Sequence, residues 1–128
     1  MTKEELEKYL VGVGGLTRIY KDYKGPITKT NFFQVKEGWY NIIQACIDEL
    51  LKLGWNKRIH QVKEKFGGLR FYVGDEDMPT GGYEVIEKYE KLSITTCEIC
   101  GNDGVLRKGN WLKTLCEAHS DGAEKFNP

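Results

Sequence analysis

The sequence contains neither a long apolar run nor a net charge. No apolar run exceeds three residues, as at residues 9–11, so we expect no membrane-spanning helix. Residues 1–5 (MTKEE) lack the basic-then-apolar order of a secretory signal. The 19 basic and 19 acidic residues cancel. This balance argues against a strongly basic protein that coats nucleic acid and against an acidic mimic of DNA.

Recognisable catalytic patterns are also missing. His60 has no neighbouring cysteine or serine in a nucleophile arrangement, and we expect it to be a packed or surface side chain. Glu64 is the one carboxylate that falls among apolar neighbours, so no carboxylate pair is indicated. No metal-ligand cluster remains besides the C-terminal cysteines. The sequence therefore predicts a protein that is not an enzyme.

What is present is an ordinary globular composition, with 40% hydrophobic and 30% charged residues in 128 positions. This length fits one core with a small appended module. We predict an α+β fold, in which a short antiparallel sheet with two packed helices precedes a zinc-ribbon-like or treble-clef-like module. The predicted organisation is an N-terminal helix and extension (1–36), an α+β core (37–95) and a zinc-binding module (96–128).

Three helices are predicted from caps and periodicity. Thr2 and Glu5 match a capping box ahead of a helix over 3–11. A second helix is predicted over 39–53 and ends at Gly54. A third is predicted over 83–93. The apolar stripe of the second helix follows three- and four-residue spacings and consists of Trp39, Ile42, Ile43, Cys46, Ile47, Leu50 and Leu51. The stripe of the third consists of Val85, Ile86, Tyr89 and Leu92.

Strand signals are shorter. Residues 16–20 and 31–35 are candidate strands. Alternating apolar residues over 59–66 and 69–73 flank Gly67-Gly68 and predict a β-hairpin with those glycines in the turn. The alternation places Glu64 among apolar neighbours, where we expect it to pair with Arg70.

Four potential metal ligands occur as two pairs, Cys97 with Cys100 and Cys116 with His119. Two pairs at i, i+3 suit the tetrahedral N/S coordination of zinc, and four protein ligands close the coordination shell, so we predict a structural zinc. Disulfides or unrelated cysteines are the alternatives, and the missing signal peptide disfavours disulfides. A hairpin from 105–107 and 111–115 would join the pairs, with a short helix over 120–126. Cys46 is predicted to be a buried core residue.

The zero net charge includes two neighbouring segments of opposite charge, a basic block and an acidic block. Residues 52–70 carry six basic residues and one acidic residue (+5), whereas residues 71–91 carry two and six (−4). The blocks either pair with each other, form solvated faces, or include an anion site. The candidate site for a nucleotide or phosphorylated ligand comprises Lys63, Lys65, Arg70 and Tyr72 on one side of the hairpin, assisted by Arg58. Residues 97–128 sum to −1, which favours a bracing lobe over a phosphate-binding finger.

The order of the motifs carries a resemblance. The tripeptide EGW at 37–39 precedes a helix, QVKEKFGGLRFY occupies 61–72, CEICG occupies 97–101, and WLKTLC at 111–116 precedes His119. This order resembles a group of small zinc-binding proteins encoded by bacteriophages and prophages. The resemblance covers about residues 37–120. It implies expression in a bacterial cytoplasm as a non-structural accessory protein, and it carries no mechanism.

Small phage accessory proteins often bind a host protein or sequester a signalling nucleotide, an analogy that favours binding over catalysis. The first hypothesis is a non-enzymatic binder of a small anionic, nucleotide-like ligand in a counter-defence role. The second is a protein-interaction module that inhibits a host factor through Phe32, Phe33 and Trp111. The third is recognition of nucleic acid through the basic block and the zinc hairpin.

Overall fold

The computed structural model describes residues 1–19 and 25–126, and within them the chain forms three helices and short sheets. The helices are α1 (Lys3–Gly12), α2 (Tyr40–Lys52) and α3 (Gly82–Ser93). The strands are β1 (Thr17–Arg18), β2 (Phe33–Gln34), β3 (Arg58–Ile59), β4 (Gln61–Lys65), β5 (Gly68–Tyr72), β6 (Val105–Arg107) and β7 (Lys113–Leu115). This arrangement confirms the α+β class.

Helix α1 begins at the predicted capping box. Thr2 Oγ1 accepts the Glu5 amide N–H at 3.1 Å, and the Glu5 carboxylate accepts the Thr2 N–H at 3.0 Å. Two of the unpaired donors at the helix start are thereby satisfied. Leu6 and Leu10, one turn apart, are fully buried.

Helix α2 starts after a 3₁₀ turn over Glu37–Trp39, so the predicted helix loses its first residue to that turn. Its apolar stripe packs inward, with Ile43, Cys46 and Ile47 fully buried. Gly54 follows with φ +87°, the left-handed conformation that glycine adopts without steric cost. The predicted cap is confirmed.

The central sheet is mixed, with strand order β2-β4-β5. Strands β4 and β5 form the predicted antiparallel hairpin, while β2 joins β4 in parallel through the pair Phe33 and Val62. Strand β1 pairs in parallel with β3 in a separate two-stranded sheet. Only 17–18 of the candidate strand at 16–20 are in β1, and Tyr20 lies outside the described residues.

The hairpin turn lies one residue earlier than predicted. Lys65 and Gly68 pair across the strands, so Phe66 (φ +54°) and Gly67 (φ +81°) are the two central residues. Positive φ at both positions is the mark of a type I′ turn, whose twist matches the flanking strands. Gly68 is therefore a strand residue rather than a turn residue.

Helix α3 covers the free edge of β5. The Leu69 N–H donates to Ser93 Oγ at 2.9 Å, and the Phe71 N–H donates to a Glu90 carboxylate oxygen at 3.0 Å. Two edge amides are thus satisfied by side chains instead of a further strand. Leu92, predicted on the buried stripe, is 46% exposed because the helix turns Ser93 toward the sheet.

The core is one cluster to which the N-terminal residues belong. Leu6, Leu10, Leu16, Ile27 and Phe33 pack with the buried faces of α2, α3 and the central sheet. The predicted N-terminal extension thus supplies core residues to the predicted core domain. In the described residues, none of the helices combines the length and apolar content needed to cross a membrane.

Candidate metal centre and basic hairpin face

Cys97, Cys100, Cys116 and His119 converge to form the Cys/His cluster. Their ligand atoms all lie within 4.8 Å of one another. The Cys100 and Cys116 sulfurs are 3.7 Å apart, and His119 Nδ1 lies 3.7 Å from Cys97 Sγ and 3.2 Å from Cys116 Sγ. Tetrahedral zinc with ordinary bond lengths places sulfurs about 3.8 Å apart and sulfur and nitrogen about 3.6 Å apart. The cluster can therefore hold a metal ion.

The first ligand pair lies in a tight backbone knuckle. The Gly101 N–H donates to the Cys97 carbonyl at 2.9 Å, and the Cys97 N–H donates to the Asn102 carbonyl at 2.7 Å. Gly101 has φ +86°, which allows the chain to turn back immediately after Cys100. Local hydrogen bonds thus hold the two sulfurs on one side of the loop.

The knuckle also favours the thiolate form of Cys97, which is the form that binds a metal ion. Burial raises the pKa of the Cys97 thiol, but backbone N–H groups of Cys116, Cys100 and Ile99 outweigh that effect and lower the pKa to about 6. At Cys100, the Asn102 N–H lowers the thiol pKa, whereas burial and the sulfurs of Cys116 and Cys97 have the larger combined effect and raise it. Crowded thiolates repel one another, and a bound cation relieves that repulsion.

Strands β6 and β7 connect the ligand pairs as the predicted hairpin. Its far side is organised by the buried Arg107 side chain. Arg107 donates to the carbonyls of Leu115 and Ala123, both at 3.2 Å, and pairs with the Glu117 carboxylate at 3.3 Å. The Arg107 guanidinium thus holds the segment from Glu117 to Ala123 against the β6–β7 hairpin.

The helix predicted over 120–126 is wrong. The chain instead makes a 3₁₀ turn over Glu117–His119, and Asp121 then adopts φ +51°. The Phe126 N–H donates to the Leu106 carbonyl at 2.7 Å, so the segment runs alongside β6. Pairing with a strand uses the backbone groups that a helix would need. The treble-clef alternative, which requires that helix, has no support among residues 97–126.

The backbone around Cys97 and Glu98 lies in close contact with the 3₁₀ turn that precedes α2. The Gly38 N–H donates to the Glu98 carbonyl at 2.7 Å, and a Cβ at Gly38 would lie 2.2 Å from the Cys97 carbonyl oxygen. Next to it, the fully buried Trp39 donates its indole N–H to the Thr96 carbonyl at 2.9 Å. Gly38 is thus required by close approach, which explains the position of the EGW tripeptide before the helix.

A second contact joins β7 to the central hairpin. The Lys113 ammonium lies 2.7 Å from Glu64 Oε1 and 3.8 Å from Glu98 Oε1. Glu64 also accepts the Gly67 N–H at 2.8 Å, and Glu98 accepts the Lys36 N–H at 3.2 Å. Sequence analysis missed this bridge because Glu98 reads as a spacer within the CxxC motif and its partners lie far away in the chain.

The predicted pairing of Glu64 with Arg70 is wrong. Arg70 lies opposite Lys63 in the hairpin register, whereas Glu64 lies opposite Leu69. Directly opposed residues share a face of an antiparallel pair and successive residues alternate, so Glu64 and Arg70 occupy opposite faces. Lys113 takes the place of the expected partner.

The same register brings together most of the candidate anion site, which we call the basic hairpin face: Lys63, Lys65, Arg70 and Tyr72. Lys63 opposes Arg70, Lys65 opposes Gly68, and Tyr72 opposes Gln61. Lys65 and Tyr72 are exposed and Lys63 and Arg70 are half-buried. Among residues 1–19 and 25–126, the ion pairs leave Lys63, Lys65 and Arg70 without a carboxylate within 4.0 Å.

Arg58, the fifth residue of the predicted anion site, is engaged by a carboxylate partner of its own. Its Nε lies 3.1 Å from Asp77 Oδ1, and Asn56 donates to the same oxygen at 2.8 Å. The pair links the basic block with the acidic block, as expected if the two blocks compensate each other. Among the described residues, Lys63, Lys65 and Arg70 take no part in such pairing.

The solvent exposure of Cys46 and of the predicted aromatic interaction residues tests two further predictions. Cys46 is fully buried on α2, as predicted, and burial raises the pKa of its thiol. Phe33 is 4% exposed, so it cannot contribute to the proposed aromatic interaction surface, while Trp111 is 78% exposed. Phe32 is half-buried and packs edge-on against Phe33.

No protein-family model, curated protein or solved structure matches this chain.

Proposed function

We propose that the protein is a non-enzymatic, zinc-stabilised binder of a small anionic, nucleotide-like ligand. The ligand contacts the basic hairpin face. In keeping with the resemblance in motif order, the proposed setting is the cytoplasm of a bacterial host, where a phage-type accessory protein removes a signalling nucleotide in counter-defence. The observation that carries the proposal is the presence of three clustered cations without carboxylate partners among the described residues.

Zinc as the bound ion is supported by the donor set. Three sulfurs and one imidazole nitrogen are ligands that zinc prefers, and their spacing fits tetrahedral coordination. Four protein ligands leave no open position for water, so the ion is structural. Its role is to hold the loop of Cys97 and Cys100 against the segment that follows β7, which carries Cys116 and His119.

Anion binding is supported by the chemistry of the face. Arg70 Nη1 donates to the Leu69 carbonyl at 3.0 Å, which holds the planar guanidinium against the strand. An oriented guanidinium binds phosphate through two parallel hydrogen bonds, while Lys63 and Lys65 add point charges. Tyr72 contributes a phenol that can donate to a phosphate or ribose oxygen.

Charge reversal tests the proposal. We expect nucleoside mono- and diphosphates of adenine and guanine, or cyclic dinucleotides, to raise the melting temperature of the wild-type protein. Lys65→Glu and Arg70→Glu should abolish this shift without changing the melting temperature of the free protein. Lys8→Glu, at an exposed position on α1, is the matched control and should keep the shift.

Two results would contradict the proposal. One is the absence of a thermal shift with every member of that panel. The other is unfolding of both charge-reversal variants, which would make Lys65 and Arg70 structural residues. Metal analysis by mass spectrometry tests the zinc separately, with one zinc per chain expected and none in Cys100→Ser/Cys116→Ser.

A further inference from the structure

A groove lies where the tip of the central hairpin meets the loop that leads into β7. It encloses about 410 Å³. We call it the tip groove, and its lining residues are Glu64, Lys65, Phe66, Trp111, Leu112 and Lys113. A volume of this size accommodates a small organic group such as a base with its sugar.

Two aromatic rings at this groove are unusually open to solvent. Phe66 is 68% exposed and Trp111 is 78% exposed, whereas Trp39 and Trp55 are buried in the core. Large aromatic side chains normally bury most of their surface, so two exposed rings on one groove indicate a binding surface.

The backbone at Phe66 gives a second, independent indication. Phe66 adopts φ +54° at the first central position of the type I′ turn. Asn, Asp and Gly are favoured at that position, and a bulky residue there is costly. Strained conformations of this kind cluster at ligand sites, where the side chain has a use beyond folding.

The groove is held rigid from both sides. Thr114 Oγ1 donates to the Gly67 carbonyl at 2.7 Å, and Lys113 pairs with Glu64 in the lining of the groove. Gly67 also packs so closely on Leu106 that a Cβ there would lie 2.4 Å from its Cδ2. The Phe66 turn and the Trp111 loop are therefore preorganised relative to each other, which reduces the cost of binding.

Lys65 makes the tip groove continuous with the basic hairpin face. Its ammonium lies 5.5 Å from the centroid of the Phe66 ring, and the same side chain belongs to that face. The charge of Lys113, by contrast, is taken up by Glu64 and Glu98. An anionic group bound at Lys65 would thus lie between two surfaces. The aromatic tip groove would be on one side, and Lys63 and Arg70 of the basic hairpin face would be on the other.

We infer that the tip groove binds the base of a nucleoside phosphate by stacking on Phe66 and Trp111, while the phosphates bind the basic hairpin face. This inference rests on the proposed function, because it assigns the second half of the same ligand. Stacking of a base on an aromatic side chain tolerates any base identity. We therefore expect the groove to accept purine and pyrimidine nucleotides alike, without recognising the hydrogen-bonding groups of one particular base.

The experiment compares ADP and GDP with inorganic pyrophosphate and adenosine. Binding is measured by calorimetry and by quenching of fluorescence from Trp111, the one highly exposed tryptophan. We expect the nucleotides to bind roughly ten- to a hundredfold more tightly than pyrophosphate. Phe66→Ala and Trp111→Ala should each remove much of this advantage and leave pyrophosphate affinity unchanged.

Two control variants separate stacking from general disturbance. Trp111→Phe keeps an aromatic face and should retain most of the nucleotide affinity. Tyr83→Ala removes an aromatic side chain that is 54% exposed on α3, and it should have no effect.

The possible failures are distinguishable. Equal affinity for nucleotides and pyrophosphate, or no effect of either alanine variant, overturns the base site but leaves the anion site intact. If neither the nucleotides nor pyrophosphate bind, the proposed function fails, and the absence of adenosine quenching then overturns the base site as well. A ten-residue oligothymidylate that binds more tightly than every nucleotide, with a steep salt dependence, would show that the occupant is single-stranded nucleic acid and overturn the inference.

Discussion

The Lys113 ammonium lies 2.7 Å from Glu64 Oε1 and thereby joins the strand that leads to Cys116 to the central sheet. The same ammonium is 3.8 Å from Glu98, which lies between Cys97 and Cys100. The Lys113 side chain therefore contacts both the central hairpin and the loop that carries Cys97 and Cys100. The predicted α+β core (37–95) and the predicted zinc-binding module (96–128) are thus coupled by charge as well as by the backbone contact at Gly38.

Lys113→Met should lower the free energy of unfolding of the zinc-loaded protein by about 1–3 kcal/mol, because two largely buried carboxylates lose their cation. Urea unfolding measures the change. Lys108→Met is the matched control on the same module, since its partner Glu124 is exposed, and its effect should be within about 0.5 kcal/mol. Equal effects of the two substitutions would show that the Lys113 bridge adds no stability.

Glu98 predicts a pH dependence. Burial raises its pKa above the ordinary value, and Lys113 offsets this only in part. The folded state therefore holds the proton more tightly than the unfolded state, and the resulting stability is present below the ordinary pKa of glutamate. It is lost as the pH rises through the folded pKa.

Glu98→Gln stays neutral at every pH and isolates that contribution. The free energy of unfolding of Glu98→Gln relative to the wild type should rise from about pH 4 upward and level off once Glu98 is ionised in both states. Denaturant unfolding of both proteins in excess zinc measures the difference. A difference that is flat across the range would contradict the raised pKa.

Local signals account for the parts of the fold that the sequence predicted. The capping box at Thr2, the apolar stripe through Ile43 and the spacing of Cys97 and Cys100 are each completed within a few residues of the chain. Such patterns depend on backbone geometry that neighbouring residues determine. They were sufficient to predict three helices, the central hairpin and the metal cluster.

The predictions that were wrong concern contacts between residues that lie far apart in the chain. Glu64 pairs with Lys113, 49 positions along the chain. The segment after His119 follows β6 instead of forming a helix, because Arg107 and Leu106 take up its backbone groups. Sequence periodicity contains no information about such partners. Of the two exposed rings in the tip groove, the sequence predicts Trp111 as part of an interaction surface, whereas its alternating pattern places Phe66 in a strand.

Gly38→Ala tests the backbone contact between the metal module and α2. The new Cβ would lie 2.2 Å from the Cys97 carbonyl oxygen, and backbone atoms cannot move aside as a side chain can. We expect a loss of at least about 2 kcal/mol in unfolding free energy, together with weaker metal binding. Gly12→Ala is the control, because no atom lies within 4 Å of its added Cβ, and it should be neutral or slightly stabilising.

Ser93→Ala tests the covered edge of β5. The substitution leaves the buried Leu69 N–H without its acceptor, which should cost about 1–3 kcal/mol in unfolding free energy. Hydrogen exchange at Leu69 should accelerate in the same variant. Thr95→Ala removes an exposed hydroxyl just beyond the helix, and neither measurement should change by a comparable amount.

Removal of the metal should separate the behaviour of the four cysteines. In the zinc-loaded protein, a thiol reagent such as Ellman's reagent should react slowly with every cysteine. After chelation, Cys97, Cys100 and Cys116 lose the cation that holds them together and should react. Cys46 should react only on global unfolding, because it is fully buried and burial raises the pKa of its thiol.

The same chelation should leave the helices in place, because the hydrophobic core cluster includes none of the four candidate ligands. Circular dichroism should keep its helical signal, while fluorescence of Trp39 should change as its hydrogen bond to Thr96 loosens. Cys46→Ala should still bind one zinc and release three reactive thiols. Simultaneous reaction of all four thiols in the wild type, with loss of the helical signal, would instead mean that the ion holds the whole fold together.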